Sequence, residues 1–140
     1  MAKKSHHEHL REVPLFASLD ASELDSVGLT ATELDYDAGY VLMHEGARAH
    51  EMYVIIDGTV EVTKDGDHVA DVGEGGFVGE MALLSNSHRN STVTAKTDIT
   101  VLHIDGREFT TLLRRVPTIA AKMLPVVAGR VVENSDDHSH

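Results

Sequence analysis

Between Thr32 and Asp105 the chain is a succession of short runs rich in Val, Ile, Thr and Tyr, namely YVLM, EMYVIIDG, TVEVTKDG, HVADVG, STVTAKT and ITVLHID. Turn signals separate them: DAG, HEGARA, DG, KDGD and GEGG. β-Branched and aromatic residues suit a pleated surface, and Gly, Asp and Pro clusters end it. Val60 and Val62 alternate with Thr59, Glu61 and Thr63, so one face of that run is buried. TVEVT and HVADV flank Lys64-Asp65-Gly66-Asp67, which predicts a tight hairpin. Many short strands with regular turns and no intervening linker restrict the chain to a β-barrel or jelly roll.

Helical patterning brackets this stretch. In SLDASELDSVGLTATEL, Asp20 is an N-cap and Glu23 completes a capping box. Leu24, Val27 and Leu29 are expected to face inward, with the helix stopping near Gly28. After the strands, Asp105 caps DGREFTTLLRRV, which sets Phe109, Leu112 and Leu113 on one face. Pro117 then opens PTIAAKMLPVVAGRVVE, whose apolar stripe is Ile119, Met123, Val126, Val127 and Val131. Pro125 is expected to kink or break that helix. The stripe fits packing on the barrel and equally a dimer seam or a lid.

At 140 residues one domain is expected. Its boundaries are set at 13–133, between a mobile segment 1–12 and a mobile His/Asp-rich tail 134–140. His6, His7, His9, His138 and His140 in those ends are read as polar termini, the other reading being weak divalent metal binding. The net charge of −11 disfavours nucleic acid as a partner. With no Trp, three Phe and three Tyr, a base-stacking surface for single strands is not expected either. The lack of Cys excludes disulfides, thiol catalysis and Cys-ligated metals. No apolar run of about 20 residues and no signal-peptide core is present, so a cytoplasmic chain without membrane contact is expected.

The segment GGFVGEMALLSNSHRNSTV, residues 75–93, is a long connection between strand runs, and such connections are usually functional. Gly75, Gly76 and Gly79 permit close backbone approach, and GEMALL can form a short helical turn with free N–H groups for an anion. Arg89, nine positions after Glu80, suits bidentate recognition of phosphate oxygens. Glu80 can accept a hydrogen bond from a sugar hydroxyl. A small phosphorylated sugar fits these groups. Charge far from the site is screened over about 8 Å at physiological salt, so the acidic chain does not forbid an anion there. The alternative is an ion pair between Glu80 and Arg89 across the loop.

FVGEMALLSNSHRNSTVTAKT resembles the phosphate-binding cassette of the cyclic nucleotide-binding domain family, through Gly79, Glu80, Ala82, Leu83, Arg89, Ser91, Thr92 and Val93. HEGARAHEMYVIIDGTVEV is similar to a second segment of that family, through Glu45, Gly46, Tyr53, Ile55, Gly58, Val60 and Val62. PLFASLDASELDSV resembles its helical lead-in, so the likeness covers about Val13 to Arg115. It implies a mainly β jelly-roll barrel (a double-stranded β-helix) with an N-terminal helix and C-terminal helices. It further implies that Arg89 pairs with the phosphate of a cyclic nucleotide, cAMP by expectation, and that Glu80 accepts from the ribose 2′-hydroxyl. Backbone amides near Gly79, Ala82 and Asn90 would complete the cradle, and Met81 would line the pocket. Asn90 departs from the Ala, Ser or Thr that many members carry, and a Thr there is associated with cGMP preference.

Such a protein binds without catalysing, since no nucleophile–base pair or metal-ligand set accompanies the cassette. No helix-turn-helix or other output domain follows the last apolar positions, so a stand-alone sensor is expected. It would act on an effector protein or within a homodimer formed by the C-terminal helices. Two other readings fit parts of the pattern. One is a ligand-free interaction module of the same fold. The other is a metal-dependent cupin-type enzyme using His44, His50 and Glu51, but the H-x-H pair and the P-x-G motif that chemistry requires are missing.

Overall fold

A computed structural model of the chain describes residues 10–80 and 88–138, with side chains described as far as residue 130. After a 3-10 turn at Pro14–Phe16 comes helix α1 (Ala21–Thr30). The strands follow as β1 (Ala31–Tyr36), β2 (Val41–Met43), β3 (Glu51–Asp57), β4 (Val60–Lys64), β5 (Asp67–Val72), β6 (Phe77–Val78), β7 (Thr92–Ala95) and β8 (Ile99–Asp105). Helices α2 (Gly106–Arg115) and α3 (Pro117–His138) close the order.

Two four-stranded antiparallel sheets form, in the orders β1-β8-β3-β6 and β2-β7-β4-β5. Every strand run read from the sequence is present. The jelly-roll architecture with flanking helices holds, but the two sheets are not hydrogen-bonded to one another and do not close into a barrel. The hairpin forms where its turn chemistry places it: Lys64 pairs with Asp67, and Asp65 and Gly66 take φ of 53° and 84°. Positive φ at both central residues is the turn whose twist matches the strands.

Strand β3 explains how the domain is layered. Tyr53 and Ile55 enter the core between the sheets with Leu42, Val60, Val93 and Val101. Met52 and Val54 belong to a second core with Leu102, Ile104, Phe16, Leu24, Phe109 and Ile119. A strand covered on both faces must be apolar at successive positions, and MYVI is. The helices therefore pack on the outer face of one sheet, and this brings α3 alongside the β3–β6 edge.

The capping box of α1 is observed. Glu23 N–H donates to Asp20 Oδ1 at 2.8 Å, and Asp20 N–H to Glu23 Oε1 at 3.0 Å. The helix does not stop at Gly28. It continues to Thr30, whose hydroxyl donates to the Ser26 and Val27 carbonyls, and Ala31 N–H closes the last turn on Val27. Leu24 and Val27 are buried as expected, whereas Leu29 is 80% exposed because the extra turn carries it to the solvent side. Asp105 caps α2 by accepting from Arg107 N–H at 2.9 Å. Pro125 does not break α3. Proline removes the donor for the carbonyl four residues back, and that residue, Ala121, is exposed, where water can satisfy it. Of the expected stripe, Ile119 and Met123 are buried and Val127 is half-buried, while Val126 is 43% exposed; the side chain of Val131 lies outside the described residues.

Gly58 joins β3 to β4 with φ of 88°. A Cβ there would stand 2.3 Å from the Asp98 carbonyl oxygen, in a turn whose Thr59 N–H donates to Thr97 Oγ1 at 3.0 Å. Gly58→Ala therefore combines a left-handed backbone with a clash against main chain. The expected loss is about 1–3 kcal/mol from the backbone conformation alone. Urea unfolding would register it as a lower midpoint at unchanged slope.

Candidate functional site

The site begins where β6 pairs with β3, Val78 opposite Tyr53 and Phe77 opposite Val54. Gly79 follows with φ of 92°. A Cβ at Gly79 would lie 2.9 Å from both Arg89 Nη1 and Met43 Cε, and 3.1 Å from the Glu51 carbonyl oxygen. Glycine is required here because the Arg89 guanidinium occupies that space.

Arg89 is only 5% exposed. Its Nη1 donates to the Gly79 carbonyl at 2.6 Å, and its Nη2 donates to the Glu51 carbonyl. The Glu51 carboxylate stands 4.0 Å from Nη2 and accepts from the Tyr53 hydroxyl at 3.2 Å. Burial pulls the Arg89 pKa below its ordinary value, against the opposing influence of Glu51, Tyr53 and Glu80. Burial first, and the Glu51 charge second, push the Tyr53 hydroxyl pKa far up, so it stays a neutral donor to Glu51. The Arg89 backbone is held as firmly as its side chain. Arg89 N–H donates to Ala47 O, and Gly46 N–H donates to Arg89 O, both at 2.8 Å. The Glu45–Gly46 turn is itself anchored, Glu45 N–H donating to Thr92 Oγ1 and Glu45 Oε1 accepting from Asp65 N–H, each at 3.0 Å. Among the described residues only two of the five guanidinium donors meet protein acceptors, both backbone carbonyls, so the cation keeps capacity for an anion.

Glu80 is 1% exposed. Its Oε1 accepts from Nη1 of Arg130 on α3, while Oε2 is buried with no hydrogen-bond partner among the described residues. Arg130 also donates from Nη2 to the Phe77 carbonyl at 2.8 Å, and its guanidinium carbon lies 4.9 Å from the Phe77 ring centroid. Glu80 and Arg89 thus have separate partners, which removes the reading of the two as a cross-loop ion pair. A buried carboxylate oxygen left unpaired is destabilising by about 1–3 kcal/mol or more. The arrangement is ready for a hydroxyl donor at Glu80 and an oxyanion at Arg89.

Of the site residues expected from the sequence, Gly79, Glu80 and Arg89 are brought together, with Asn90 and Ser91 continuing from Arg89. Ser91 Oγ donates to Asn90 Oδ1 at 3.2 Å. Met81, Ala82 and Leu83 lie outside the described residues. Arg130 and Glu51 escaped the sequence reading as parts of this site. Arg130 had a signal: it falls three residues after Val127 and seven after Met123, in line with the buried stripe, and a cation in that line needs a buried partner.

Ligand atoms of Glu61, His68 and Asp71 gather within 4.8 Å of one another on the β4–β5 hairpin. Lys96 already pairs with Asp71 at 2.9 Å, and His68 with Glu61 at 2.7 Å, which makes this an exposed ion network. Among the described residues, His44, His50 and Glu51 form no such cluster. A cleft of about 460 Å³ elsewhere is lined by Glu12, Pro14, Ile56, Glu74 and Gly75. Its two acids do not suit an anion.

The family description "cyclic nucleotide-binding domain" matches residues 33–116, well over half of the chain. The chain belongs to the cyclic nucleotide-binding domain family. It is 34% identical over 108 residues to a cyclic nucleotide-gated potassium channel of Rhizobium etli, covering 77% of this chain and 30% of the channel. It is 34% identical over 105 residues to the cAMP-dependent protein kinase regulatory subunit of Schizosaccharomyces pombe, covering 74% of this chain and 26% of that subunit. The structure of Thermus thermophilus catabolite activator protein superposes with a TM-score of 0.75 at 26% identity, over 90% of this chain and 62% of that one. The chain thus spans less than a third of the length of these curated relatives. No helix among its described residues is long and apolar enough to cross a membrane.

In this cyclic nucleotide-binding domain, Gly79→Ala would push the Arg89 guanidinium off the Gly79 and Glu51 carbonyls. We expect weaker cyclic nucleotide binding by isothermal titration together with a lower melting temperature, the left-handed backbone alone contributing about 1–3 kcal/mol of destabilisation.

Proposed function

We propose that the chain is a cytoplasmic cyclic nucleotide sensor whose ligand is cAMP and which binds without catalysing. The observation that carries this reading is the buried pair of unlike groups: Arg89, with two of its donors placed on carbonyls among the described residues, and Glu80, whose buried Oε2 meets no donor among them. A 3′,5′-cyclic nucleotide supplies one anionic phosphodiester for the first and one ribose 2′-hydroxyl for the second. The one-to-one charge match is local, so the net charge of −11 does not oppose it. Gly79 and the backbone amides near Ala82 and Asn90 would complete the cradle, Met81 and Leu83 would border it, and Asn90 with Ser91 stands where base preference would be set.

The output we infer is a shift in the helices that follow Asp105, transmitted to an effector protein or within a homodimer. The relatives named as a gated channel and a kinase regulatory subunit support a regulatory role. Exposed Leu124 and Val126 on α3 support a partner surface there.

Isothermal titration with cAMP and cGMP tests the reading. The expected result is saturable binding with cAMP the tighter ligand, and heatless titrations with both would overturn it in favour of a ligand-free module. Arg89→Ala is expected to cost about 2–5 kcal/mol of binding, the loss typical of one partner in a buried charge pair. That is roughly thirtyfold or more in affinity.

A further inference from the structure

The exposed network on the β4–β5 hairpin has the composition of a metal site, one imidazole and two carboxylates whose ligand atoms all lie within 4.8 Å of one another. Strand alternation alone does not bring them together. Glu61 pairs with Asp71, so those two side chains leave the same face of the sheet. His68 lies three residues before Asp71, and on a regular strand an odd separation sends two side chains to opposite faces. The register shifts at this point. Val62 pairs with Ala70 but Thr63 pairs with His68, which leaves Val69 as an extra residue on β5. In an unshifted ladder Thr63 would face Val69. The bulge puts His68 there instead and turns its ring toward Glu61 and Asp71.

We propose that Glu61, His68 and Asp71 bind a divalent transition metal of the zinc class, with water at the remaining position. Bonds of about 2.1 Å to nitrogen and oxygen set tetrahedral ligand atoms about 3.4 Å apart. His68 Nδ1 stands 2.7 Å from Glu61 Oε2 and 3.9 Å from Asp71 Oδ1, on either side of that spacing. Small rotations of these side chains close the difference. Lys96 holds the other Asp71 oxygen, Oδ2, at 2.9 Å and leaves Oδ1 toward His68. The Lys96 main chain is itself fixed, its N–H donating to the Thr59 carbonyl at 2.9 Å. A ligating carboxylate is ordinarily held from outside in this way. The imidazole nitrogen favours zinc over Ca²⁺, which takes about six or more oxygen ligands. A bound ion would cross-link β4 to β5, the edge strand of its sheet. The site is independent of what the cassette binds.

The test is titration of the full chain with Zn²⁺, followed by the amide NMR signals of Glu61, His68 and Asp71, and repeated in His68→Ala and Asp71→Asn. His6, His7, His9, His138 and His140 can take up zinc in every variant, so the readout must be local to the hairpin. In the unaltered chain the three signals are expected to move together and saturate. Either substitution is expected to weaken that response by about tenfold or more. Neither is expected to change the melting temperature without metal, because all three side chains reach solvent. Ca²⁺ at the same concentration is expected to leave the signals in place. Hairpin signals that ignore Zn²⁺, or that respond equally in His68→Ala, would overturn the proposal. An equal response to Ca²⁺ would reduce the cluster to general attraction of cations by carboxylates and overturn it as well.

Discussion

The burial of one guanidinium organises the site and much of what surrounds it. Arg89 sits at 5% exposure with its charge turned to the carbonyl oxygens of Gly79 and Glu51. An unpaired buried cation is strongly unfavourable, so the backbone must deliver acceptors to it. That demand fixes three separate segments. β6 must end at Gly79 without a side chain in the way, β3 must begin with a free carbonyl at Glu51, and the Glu45–Gly46 turn must clasp the Arg89 backbone. Each segment approaches from a different direction, and the cation ties them together.

The two cores determine what can reach this site. The core between the sheets sets β3 and β6 side by side and presents Gly79 and Glu80 at their common edge. The core under the helices seats α2 and α3 on the outer face of the same strands, through Met52 and Val54 of β3. Because β3 serves both cores, the helix that carries Arg130 is positioned by the strand that positions Arg89. Phe77 lies buried in the helix-side core while its ring and carbonyl receive Arg130.

Strand runs, hairpin and caps were legible because their causes are local. Positive φ at Asp65 and Gly66, the reciprocal bonds of Asp20 and Glu23, and the Asp105 cap all follow from residues a few positions apart. α1 ends at Thr30, just beyond the expected stop near Gly28, because a glycine stops a helix only when it turns left-handed and Thr30 offers a later closure through its hydroxyl. Pro125 is expected to kink or break α3, and the helix continues through it without a break. Whether the lost hydrogen bond disrupts a helix depends on where the orphaned carbonyl faces, and that depends on what packs against the helix. Arg89 and Glu80 were found from their types and spacing, but their pairing was not, since the ion pair that spacing permits is not the one formed.

Residue order alone points to a β-barrel or jelly roll with helical flanks and a glycine-framed acid and arginine within one long connection. Those features depend on period, turn chemistry and short separations. The partners of the two charges come from the folded chain. Arg89 meets a carbonyl 38 residues away, and Glu80 meets an arginine 50 residues away. Contacts over such separations are set by how sheets and helices stack, because burial leaves a charge no choice but the nearest group of opposite polarity. That stacking makes Glu80 a carboxylate with one oxygen bound to α3 and the other without a donor among the described residues.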